Sequence, residues 1–177
     1  DKTGTLTKGE PEVTDVVVDG IPEDQVLAMV AAVETESEHP LAQAIVTEAE
    51  RQAASNFRAE SFESVPGHGA TATVEGRRIV VGNTRLLDRE GVDLGELADR
   101  QQALAEGGRT AVIVAVDGRA AGLIAMADAP RETAAAAVDE LQTLGVEVVM
   151  LTGDNEATAR RIVGILGVET VIADVLP

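Results

Sequence analysis

Apolar and polar residues in the last third of the chain follow the periods of an α/β fold. Residues 131–144 carry apolar side chains three and four positions apart, which predicts a helix that ends at Gly145. Residues 146–151 form an apolar run rich in β-branched side chains, the pattern of a buried parallel strand. A second helical pattern over 156–166 and a short apolar stretch at 171–173 follow. This βαβ order predicts a right-handed crossover and a doubly wound sheet.

The middle of the chain shows a different pattern. Helical spacing of apolar residues recurs over residues 23–34, 41–54 and 94–105. Two pairs of strand-like segments are each separated by a dipeptide that favours a tight turn. They are 71–74 and 78–81 around Glu75-Gly76, and 111–116 and 120–125 around Asp117-Gly118. Helices mixed with hairpins predict an α+β unit with an antiparallel sheet.

The α+β pattern lies inside the α/β pattern, so we predict one unit inserted into another. Proline-containing stretches near residues 7–11 and 127–130 mark the expected seams, because proline is unfavourable within a regular element. The predicted organisation is a first α/β segment over residues 1–10, an inserted domain over 11–126 and a second α/β segment over 127–177.

Charge and composition restrict the possible ligands. The chain has 14 Lys and Arg residues against 31 Asp and Glu residues, a net charge of −17, and only 1% aromatic residues. Nucleic acid is bound by clustered Lys and Arg and by aromatic stacking, so this chain is not expected to bind it. An anionic ligand must be held by backbone N–H groups, by helix N-termini or with a divalent cation. The acidity also suits high solubility or adaptation to a salty cytoplasm.

Membrane insertion and thiol chemistry are not expected either. No apolar run approaches the roughly 20 residues that span a bilayer, so the chain itself is not expected to enter a membrane. The absence of Cys excludes disulfides, Cys-based metal sites and a thiol nucleophile.

The sharpest chemical signal is the opening sequence, residues 1–7 (DKTGTLT). A carboxylate can attack a phosphoryl group to form an aspartyl-phosphate, and the Thr/Gly/Thr turn surrounds Asp1 with hydroxyls and backbone amides. The stretch resembles the phosphorylation motif of P-type ATPases. Phosphatases of the wider haloacid dehalogenase superfamily have a second Asp at the position of Thr3, as a general acid and base that Thr cannot replace at neutral pH. Thr3 therefore favours a persistent phosphoenzyme, as in a pump.

A second phosphate-binding signal lies at residues 152–155 (TGDN), where a predicted strand gives way to a helix. The N-terminus of that helix offers unpaired N–H groups and the positive end of the helix dipole. The stretch resembles the second phosphate-binding motif of the same pumps, in which Thr and Gly contact phosphoryl oxygens. Two weaker resemblances accompany it: residues 128–131 (DAPR) are similar to the hinge motif, and 174–177 (DVLP) to the segment after the phosphate motif.

The inserted unit carries a nucleotide-binding pattern. Glu34 together with residues 37–42 (SEHPLA) resembles the nucleotide-binding motif of heavy-metal (type IB) P-type ATPases. This subfamily lacks the Phe and Lys on which other pumps hold adenine. By this resemblance, Glu34 and His39 would contact the adenine base.

Two glycine motifs extend the nucleotide-binding resemblance. Gly67 and Gly69 are similar to the glycine pair of type IB pumps, where missing side chains let the backbone approach the nucleotide. Gly82-Asn83 is similar to a Gly-Asn pair that orders that loop and the nucleotide. His68, between the two glycines, is interpreted as incidental.

The motifs reach from the first residue to the last segment, so the resemblance to a type IB pump covers the whole chain. It implies an incomplete haloacid dehalogenase-like, Rossmann-type α/β phosphorylation domain with an inserted α+β nucleotide-binding domain that contains an antiparallel sheet. The implied cofactors are ATP and Mg²⁺, with Asp1 and Thr3 as cation ligands. The implied catalytic set is Asp1 as the phosphorylated nucleophile, with Lys2, Thr3, Thr152, Gly153 and Asp154.

The resemblance also implies partners outside this sequence. They are ATP and the rest of the same pump, namely the transmembrane metal site and the actuator domain, which would put the chain on the cytoplasmic face of a membrane. The strand that leads into the nucleophile and the later magnesium-binding motif are expected outside these 177 residues. We therefore expect the chain alone to bind nucleotide without turnover.

Several alternatives stay open at this point. The Ser-Glu-His-Pro order favours a copper(I) exporter, and a zinc or cadmium pump is the nearest alternative. A soluble haloacid dehalogenase-type phosphatase is a second, which Thr3 argues against. A non-enzymatic nucleotide-sensing module is a third, in which Asp1 would have no chemical role.

Overall fold

The computed structural model describes residues 1–54, 56–154, 156–173 and 175. Within them the chain begins with a wide turn over Lys2–Leu6 and continues through eight strands and six helices. The strands are β1 Thr7–Val18, β2 Ala59–Val65, β3 Gly69–Val74, β4 Arg77–Gly82, β5 Thr110–Val116, β6 Arg119–Pro130, β7 Val149–Leu151 and β8 Thr170–Ile172. The helices are α1 Glu23–Glu34, α2 Pro40–Arg51, α3 Thr84–Arg89, α4 Leu97–Glu106, α5 Ala134–Thr143 and α6 Glu156–Leu166.

Six strands form one antiparallel sheet in the order β1-β6-β5-β4-β3-β2. Both predicted hairpins, β3–β4 and β5–β6, are present. Each turn holds two consecutive residues with positive φ, Glu75 and Gly76 at 50° and 73°, and Asp117 and Gly118 at 51° and 79°. That geometry matches the right-handed twist of the paired strands, which is why these dipeptides predicted hairpins correctly.

Helices cover both faces of the sheet. Helices α1 and α2 pack on one face, where Leu27 is fully buried, and α3 and α4 pack on the other, where Leu86 is fully buried. Successive side chains in a strand point to opposite faces, so Ile79 and Val81 of β4 enter the first core and Val80 enters the second. The predicted α+β unit with an antiparallel sheet is confirmed.

The remaining elements form a small α/β unit. Strands β7 and β8 pair in parallel, with α6 between them in the chain. The predicted buried strand over 146–151 is wrong in its length and burial, because β7 spans only three residues, and Val149 and Leu151 are 41% and 46% exposed. Met150 is fully buried in one core with Ile162, on the side where α5 and α6 pack, and its two neighbours point the other way.

The predicted seams are also different in the structure. Strands β1 and β6 form one antiparallel ribbon that runs through both proline-containing stretches, with Thr7 opposite Pro130 and Pro11 opposite Asp128. The expectation that proline would interrupt regular structure here is wrong. The pairing register shifts between Thr7 and Pro11, and Pro130 ends its strand, so neither proline has to donate a central ladder hydrogen bond. The domain boundaries at these points stay predictions.

The turn between α4 and β5 forms a second contact with the small α/β unit. A Cβ atom on Gly108 would lie 2.7 Å from Thr158 Cα and 2.8 Å from the Ala157 carbonyl oxygen, so this glycine packs directly on the start of α6. The next residue, Arg109, pairs with Asp15 of β1 at 2.8 Å. The sheet therefore contacts the small unit at Gly108 as well as along the β1–β6 ribbon.

Candidate functional site

The opening turn presents its carboxylate to solvent. Asp1 is exposed, and the Thr5 hydroxyl donates a hydrogen bond to Asp1 Oδ2 at 3.0 Å. Gly4 has a φ of 77° inside the turn, a left-handed conformation that glycine adopts without strain. Thr3 is exposed on the same turn. The sequence Thr-Gly-Thr thus bends the chain around Asp1 and supplies a hydroxyl that orients its side chain.

Lys2 connects three separate parts of the chain. Its side chain is only 5% exposed, and Nζ lies 2.5 Å from Asp154 Oδ2 and 3.6 Å from Asp128 Oδ2. We call Lys2, Asp128 and Asp154 the Lys2 cluster. It joins the opening turn to the end of β6 and to the turn after β7, so the structure brings two of the predicted catalytic stretches together through an ion pair.

Asp128 is a residue whose place in the site was missed at the sequence level. Its Oδ1 accepts a hydrogen bond from the Gly9 N–H at 3.0 Å, and its Oδ2 accepts one from the buried Thr7 hydroxyl at 2.5 Å. Arg131, three residues later, donates from Nη2 to the Gly4 carbonyl at 2.9 Å. The signal in the sequence is the Asp-Ala-Pro-Arg stretch, whose resemblance to a hinge motif does not indicate that it also holds the opening turn in place.

The turn after β7 has a buried threonine at its start. Thr152 is 6% exposed, its N–H donates to the Ile172 carbonyl at 3.0 Å, and its own carbonyl accepts from Val175 N at 3.2 Å. The Asp154 N–H donates to Thr152 Oγ1 at 3.1 Å. Gly153 is exposed between them. Both β-pairing and a side-chain turn therefore fix the stretch that leads into α6.

Two sequence-level predictions at these positions concern residues outside the described part of the chain. Asn155 belongs to the 152–155 motif, and Asp174, Leu176 and Pro177 belong to the 174–177 resemblance. The structure is informative about the rest of both stretches only.

A cavity of about 380 Å³ lies between α1, the start of α2 and the ends of β3, β4 and β5. All six predicted nucleotide-binding residues line it, although they are spread over 50 positions of the sequence. They are Glu34, His39, Gly67, Gly69, Gly82 and Asn83. None of the described residues that line this cavity belongs to the opening turn or to the turn after β7. The six predicted nucleotide-binding residues thus share one cavity, and the ion pair between Lys2 and Asp154 joins two of the predicted catalytic stretches at a separate place.

The residues between α1 and α2 are organised by a series of short-range hydrogen bonds. Ser37 N donates to the Glu34 carbonyl at 2.9 Å, and His39 N donates to Ser37 Oγ at 3.3 Å. Leu41 N then donates to His39 Nδ1 at 3.2 Å, so His39 is the N-cap of α2, with Pro40 in the first helical position. Because Nδ1 accepts this bond, the ring proton of neutral His39 is on Nε2, which can act as a donor.

The side chain of Asn83 lines the cavity and is hydrogen-bonded to the glycine loop. Its Oδ1 accepts from Leu86 N at 3.2 Å as the N-cap of α3, and its Nδ2 donates to the Gly67 carbonyl at 3.1 Å. The backbone N–H of Asn83 donates to the His68 carbonyl at 2.9 Å. The expectation that an Asn at this position orders the loop agrees with these three bonds.

The two inner glycines are required by backbone packing. A Cβ on Gly82 would lie 2.3 Å from the His68 carbonyl oxygen, and a Cβ on Gly69 would lie 2.1 Å from the Val81 carbonyl oxygen. Gly67 is different: a Cβ there would meet nothing within 4 Å, and its φ of 73° explains the glycine. Gly69 and Gly82 are therefore needed to build the loop, whatever ligand it faces.

Besides His39, two titratable side chains line the cavity, Glu34 and His68. Burial raises the pKa of the Glu34 carboxyl to about 7. His68, interpreted as incidental at the sequence level, also lines the cavity, and its Nδ1 lies 2.8 Å from the Pro66 carbonyl oxygen. A carbonyl can only accept, so Nδ1 of His68 carries a proton and Nε2 of the neutral ring is an acceptor.

The donor set suits a magnesium ion that arrives with a nucleotide. Within the described residues, no group of three or more His, Cys, Asp and Glu side chains could hold a metal ion. Mg²⁺ usually keeps several waters and is held by one or two carboxylates together with substrate phosphates. The exposed carboxylate of Asp1 and the oxygens of Thr3 are ligands of this kind.

No helix in the described part of the chain is both long and apolar enough to cross a membrane. The apolar surface that is exposed is spread over short elements of the small α/β unit, where Leu144 is 73% and Ile165 is 53% exposed.

Comparison with known proteins gives the family of the chain. The family model of haloacid dehalogenase-like hydrolases matches residues 1–177. Copper-transporting ATPase 2 of Rhizobium meliloti (strain 1021) is 42% identical over 178 aligned positions, which cover 100% of this chain and 22% of that protein. This chain therefore spans about a fifth of the length of this relative.

Two solved structures agree with this result. The crystal structure of a zinc-transporting PIB-type ATPase in an E2.Pi state is 39% identical with a TM-score of 0.90, over 99% of this chain and 28% of that one. The N-domain of HMA6, a copper-transporting P-type ATPase, is 32% identical with a TM-score of 0.56, over 67% of this chain and 99% of that one. The fold class predicted from the sequence is confirmed, as is the resemblance to heavy-metal P-type ATPases. The chain belongs to the haloacid dehalogenase-like hydrolase family.

Proposed function

We propose that this chain is the ATP-binding and phosphorylation region of a heavy-metal-transporting P-type ATPase, at the cytoplasmic face of a membrane, and that Asp1 carries the phosphoryl group. The observation that supports this most directly is the ion pair between Lys2 and Asp154, which joins the opening turn to the turn after β7. Asp1 immediately precedes Lys2 in the chain, which supports the proposal that its carboxylate acts together with this second stretch. The cavity beside Glu34 and His39 would hold the adenine base.

The proposed reaction is transfer of the γ-phosphoryl group to Asp1. An Asp1 carboxylate oxygen forms the new P–O bond, and the bond from the γ-phosphorus to the bridging oxygen of ADP breaks in line with it. Lys2 balances the charge of Asp128 and Asp154, and hydroxyl groups of Thr3 and Thr152 donate to phosphoryl oxygens. Mg²⁺ would be held by Asp1 and Thr3 and would reduce the repulsion between Asp1 and the nucleotide.

Thr3 supports a pump rather than a phosphatase. Its hydroxyl has no useful acid–base chemistry at neutral pH, so it cannot activate water against the aspartyl-phosphate. The phosphoenzyme would then persist until another part of the pump removes the phosphoryl group. Such a persistent intermediate can be coupled to a change between inward- and outward-facing states of the membrane part.

Copper(I) export is the proposed transport activity, with zinc or cadmium transport as the second candidate. The name of the Rhizobium relative supports copper, as does the name of the HMA6 protein. The zinc-transporting PIB-type ATPase, with a TM-score of 0.90, is the observation that favours the second candidate. Metal choice depends on membrane helices that lie outside this sequence.

A chimeric pump tests whether this chain accepts phosphate from ATP and whether Asp1 is the residue that accepts it. The 177 residues replace the corresponding segment of the Rhizobium copper-transporting ATPase 2, whose remaining domains are retained. With ATP labelled in the γ-phosphate we expect copper-dependent, acid-stable and hydroxylamine-sensitive labelling of the protein. The Asp1→Asn variant should lose the label and still bind ATP. Labelling that survives in Asp1→Asn would contradict the assignment of Asp1.

The behaviour of the chain by itself separates a pump from an independent enzyme. We expect the 177-residue chain to bind ATP without sustained hydrolysis, since completion of the cycle requires the rest of the pump. Steady magnesium-dependent release of phosphate by the chain alone, lost in Asp1→Asn, would favour the soluble phosphatase instead.

A further inference from the structure

The exposed apolar side chains of this protein are confined to one part of the molecule. Every large apolar side chain that is exposed in the described residues belongs to the small α/β unit, and none of them belongs to the six-stranded sheet or to the helices packed on it. Single apolar residues on a surface need no explanation, whereas a cluster of them with a polar rim is typical of an interaction surface. The exposed residues of the small unit fall into two groups.

The first group lies on the open face of the small sheet. Leu151 of β7 is paired with Ile172 of β8, and Val149 is two positions before Leu151 in the same strand. Parallel sheets are normally covered on both faces, so further elements of the same α/β domain are expected to cover this face. The fold class therefore accounts for the exposure of these three residues.

The second group lies where α5 and α6 end. The Gln142 side chain donates to the Gly167 carbonyl at 3.0 Å, and this bond joins the last turn of α5 to the residue after α6. After α5 the chain turns back, and the Val146 N–H donates to the Leu141 carbonyl at 3.0 Å. The exposed apolar side chains within two residues of these bonded positions form what we call the helix-end patch: Leu141, Leu144, Val146 and Ile165.

The apolar stripe of α5 runs into the helix-end patch. Ala134 and Val138 are buried on the side of α5 that faces the core. Leu141 follows at the spacing that keeps it on the same side, yet it is 43% exposed. The stripe thus continues past the point at which the described part of the small unit covers it. Such a continuation is expected where another element packs against the end of the helix.

The helix-end patch is surrounded by negative charge. Residues 139–149 and 164–170 contain both helix ends and the segments that lead into β7 and β8, and neither stretch contains Lys or Arg. An apolar surface with an acidic rim is complementary to an apolar segment flanked by Lys or Arg. A second copy of this chain or an anionic lipid surface would instead bring like charges together. The exposed carboxylates of the rim belong to Asp139, Glu140, Glu147 and Glu169.

The helix-end patch lies away from the opening turn. Arg131, which donates to the Gly4 carbonyl, is three residues before α5, and Asp154 of the Lys2 cluster is two residues before α6. Both helices therefore begin beside the candidate phosphorylation site. Their lengths of 10 and 11 residues place the patch about 15 Å farther along.

We infer that the helix-end patch binds the cytoplasmic extension of a membrane helix of the same pump, a helical segment with apolar residues on one face and Lys or Arg beside them. This inference rests on the proposed function, because it requires the rest of a pump. Cytoplasmic segments next to membrane helices carry an excess of Lys and Arg, which the acidic rim would bind. Two packed helices, α5 and α6, would then connect this contact to the surroundings of Asp1.

A synthetic peptide tests the helix-end patch directly. The probe is a helical peptide with Leu along one face, Lys on both sides of that face and one Trp. The 177-residue chain contains no Trp, so the Trp emission comes from the peptide alone. We expect saturable binding, weakened at least about tenfold when Glu replaces each Lys. A peptide of the same composition in scrambled order should also bind weakly, since it has no apolar face.

Ile165→Asp and Ile172→Asp are a matched pair of variants. The two isoleucines are 53% and 51% exposed, and only Ile165 belongs to the helix-end patch. A new carboxylate would strengthen any non-specific attraction of a basic peptide, so weaker binding by Ile165→Asp, by about fivefold or more, would reflect lost apolar contact. Ile172→Asp should bind like the wild type. Equal affinities of the two variants would overturn the inference.

Leu144→Asp repeats the test at a position that is 73% exposed, where the substitution does not disturb the core. We expect the same loss of peptide binding as in Ile165→Asp. Binding of the chain to vesicles of phosphatidylglycerol and phosphatidylcholine that Leu144→Asp abolishes would assign the patch to lipid and overturn the inference. A dimer in analytical ultracentrifugation that the same substitution dissociates would assign it to a second copy, with the same consequence. The absence of saturable peptide binding would overturn it as well.

The chimeric pump separates this inference from the proposed function. In that pump, Leu144→Asp should still bind ATP, and its copper-dependent ATP hydrolysis should fall by about fivefold or more. Hydrolysis at the wild-type rate, in a chimera that is labelled at Asp1, would overturn the docking surface and leave the proposed function intact. A chimera without the substitution that takes no label from ATP would contradict the proposed function itself.

Discussion

At the scale of single residues, the charge balance around the opening turn depends on Lys2. Its ammonium group lies between two carboxylates, one at the end of β6 and one in the turn after β7. Removal of one partner of a buried ion pair commonly costs about 3–5 kcal/mol, because the remaining charge is left without compensation. The Asp154 side chain is 35% exposed, so water can solvate part of the uncompensated charge. The cost here should lie below that range.

We predict that Lys2→Met lowers the free energy of unfolding by about 2 kcal/mol, measured by urea denaturation near neutral pH. Lys8→Met is the matched control, since Lys8 pairs with Glu12 at 2.6 Å on the surface, where water screens the pair, and should have a much smaller effect. Equal losses in the two variants would mean that the Lys2 cluster is no more than a surface ion pair.

Residue-level predictions from the sequence were strongest where a motif was local. The Asp117-Gly118 dipeptide predicted its hairpin because the turn geometry depends on those two residues. Asp128 was missed as a site residue because its partners, Lys2, Thr7 and Gly9, lie more than 100 positions earlier in the chain. A local sequence pattern cannot indicate that residues so far apart in the chain are in contact.

At the scale of elements, the difference between local motifs and long-range contacts also explains why β1 and β2 could not be predicted from the sequence. Strand β1 pairs with β6, more than 100 residues away, and contains Pro11, a residue that favours an interruption of regular structure. Strand β2 contains Ser61 with a φ of 54° at a register shift, so its alternation of apolar and polar residues is broken. Helix α3 has only six residues, too few to show a helical period. Hairpins and long amphipathic helices could be predicted, and long-range pairing could not.

The contact between β3 and β4 at the glycine loop gives an element-scale prediction. Gly82 does not have a left-handed φ, so any effect of a side chain there is steric. A methyl group would lie 2.3 Å from the His68 carbonyl oxygen, so Gly82→Ala must separate the loop from the strand. We expect a loss of about 2 kcal/mol or more in the free energy of unfolding, and weaker nucleotide binding.

Gly164→Ala is the control for Gly82→Ala. Gly164 lies in α6, has no atom within 4 Å of its ideal Cβ position and does not have a left-handed φ. Alanine should therefore stabilise the helix by up to about 1 kcal/mol. Opposite signs for the two substitutions are expected in urea denaturation; destabilisation by both would show that packing at Gly82 is not the cause.

At the scale of the whole molecule, two sites lie on parts joined by the β1–β6 ribbon. The cavity lies at the far side of the large sheet, and the Lys2 cluster lies where the ribbon meets the small α/β unit. Under the proposed function, a nucleotide held at its base by Glu34 must bring its phosphates to Asp1. The Gly108 contact with α6 and the ribbon are the places where a change in orientation would have to occur.

The net negative charge of the whole molecule repels the phosphates of a nucleotide as they approach Asp1. The same charge also destabilises the folded state. A net charge of −17 produces mutual repulsion that dissolved salt screens, over a Debye length of about 10 Å at about 0.1 M. We predict that the thermal unfolding midpoint near neutral pH rises by about 5 °C when NaCl is raised from about 10 mM to about 300 mM. Circular dichroism at a helix wavelength measures it directly. The same salt step at about pH 4.5, close to the sequence pI of about 4.3, should have a smaller effect because the net charge of the molecule is then small. A midpoint that falls with salt near neutral pH, or an equal rise at both pH values, would show that local ion pairs such as Lys2–Asp154 outweigh the overall repulsion.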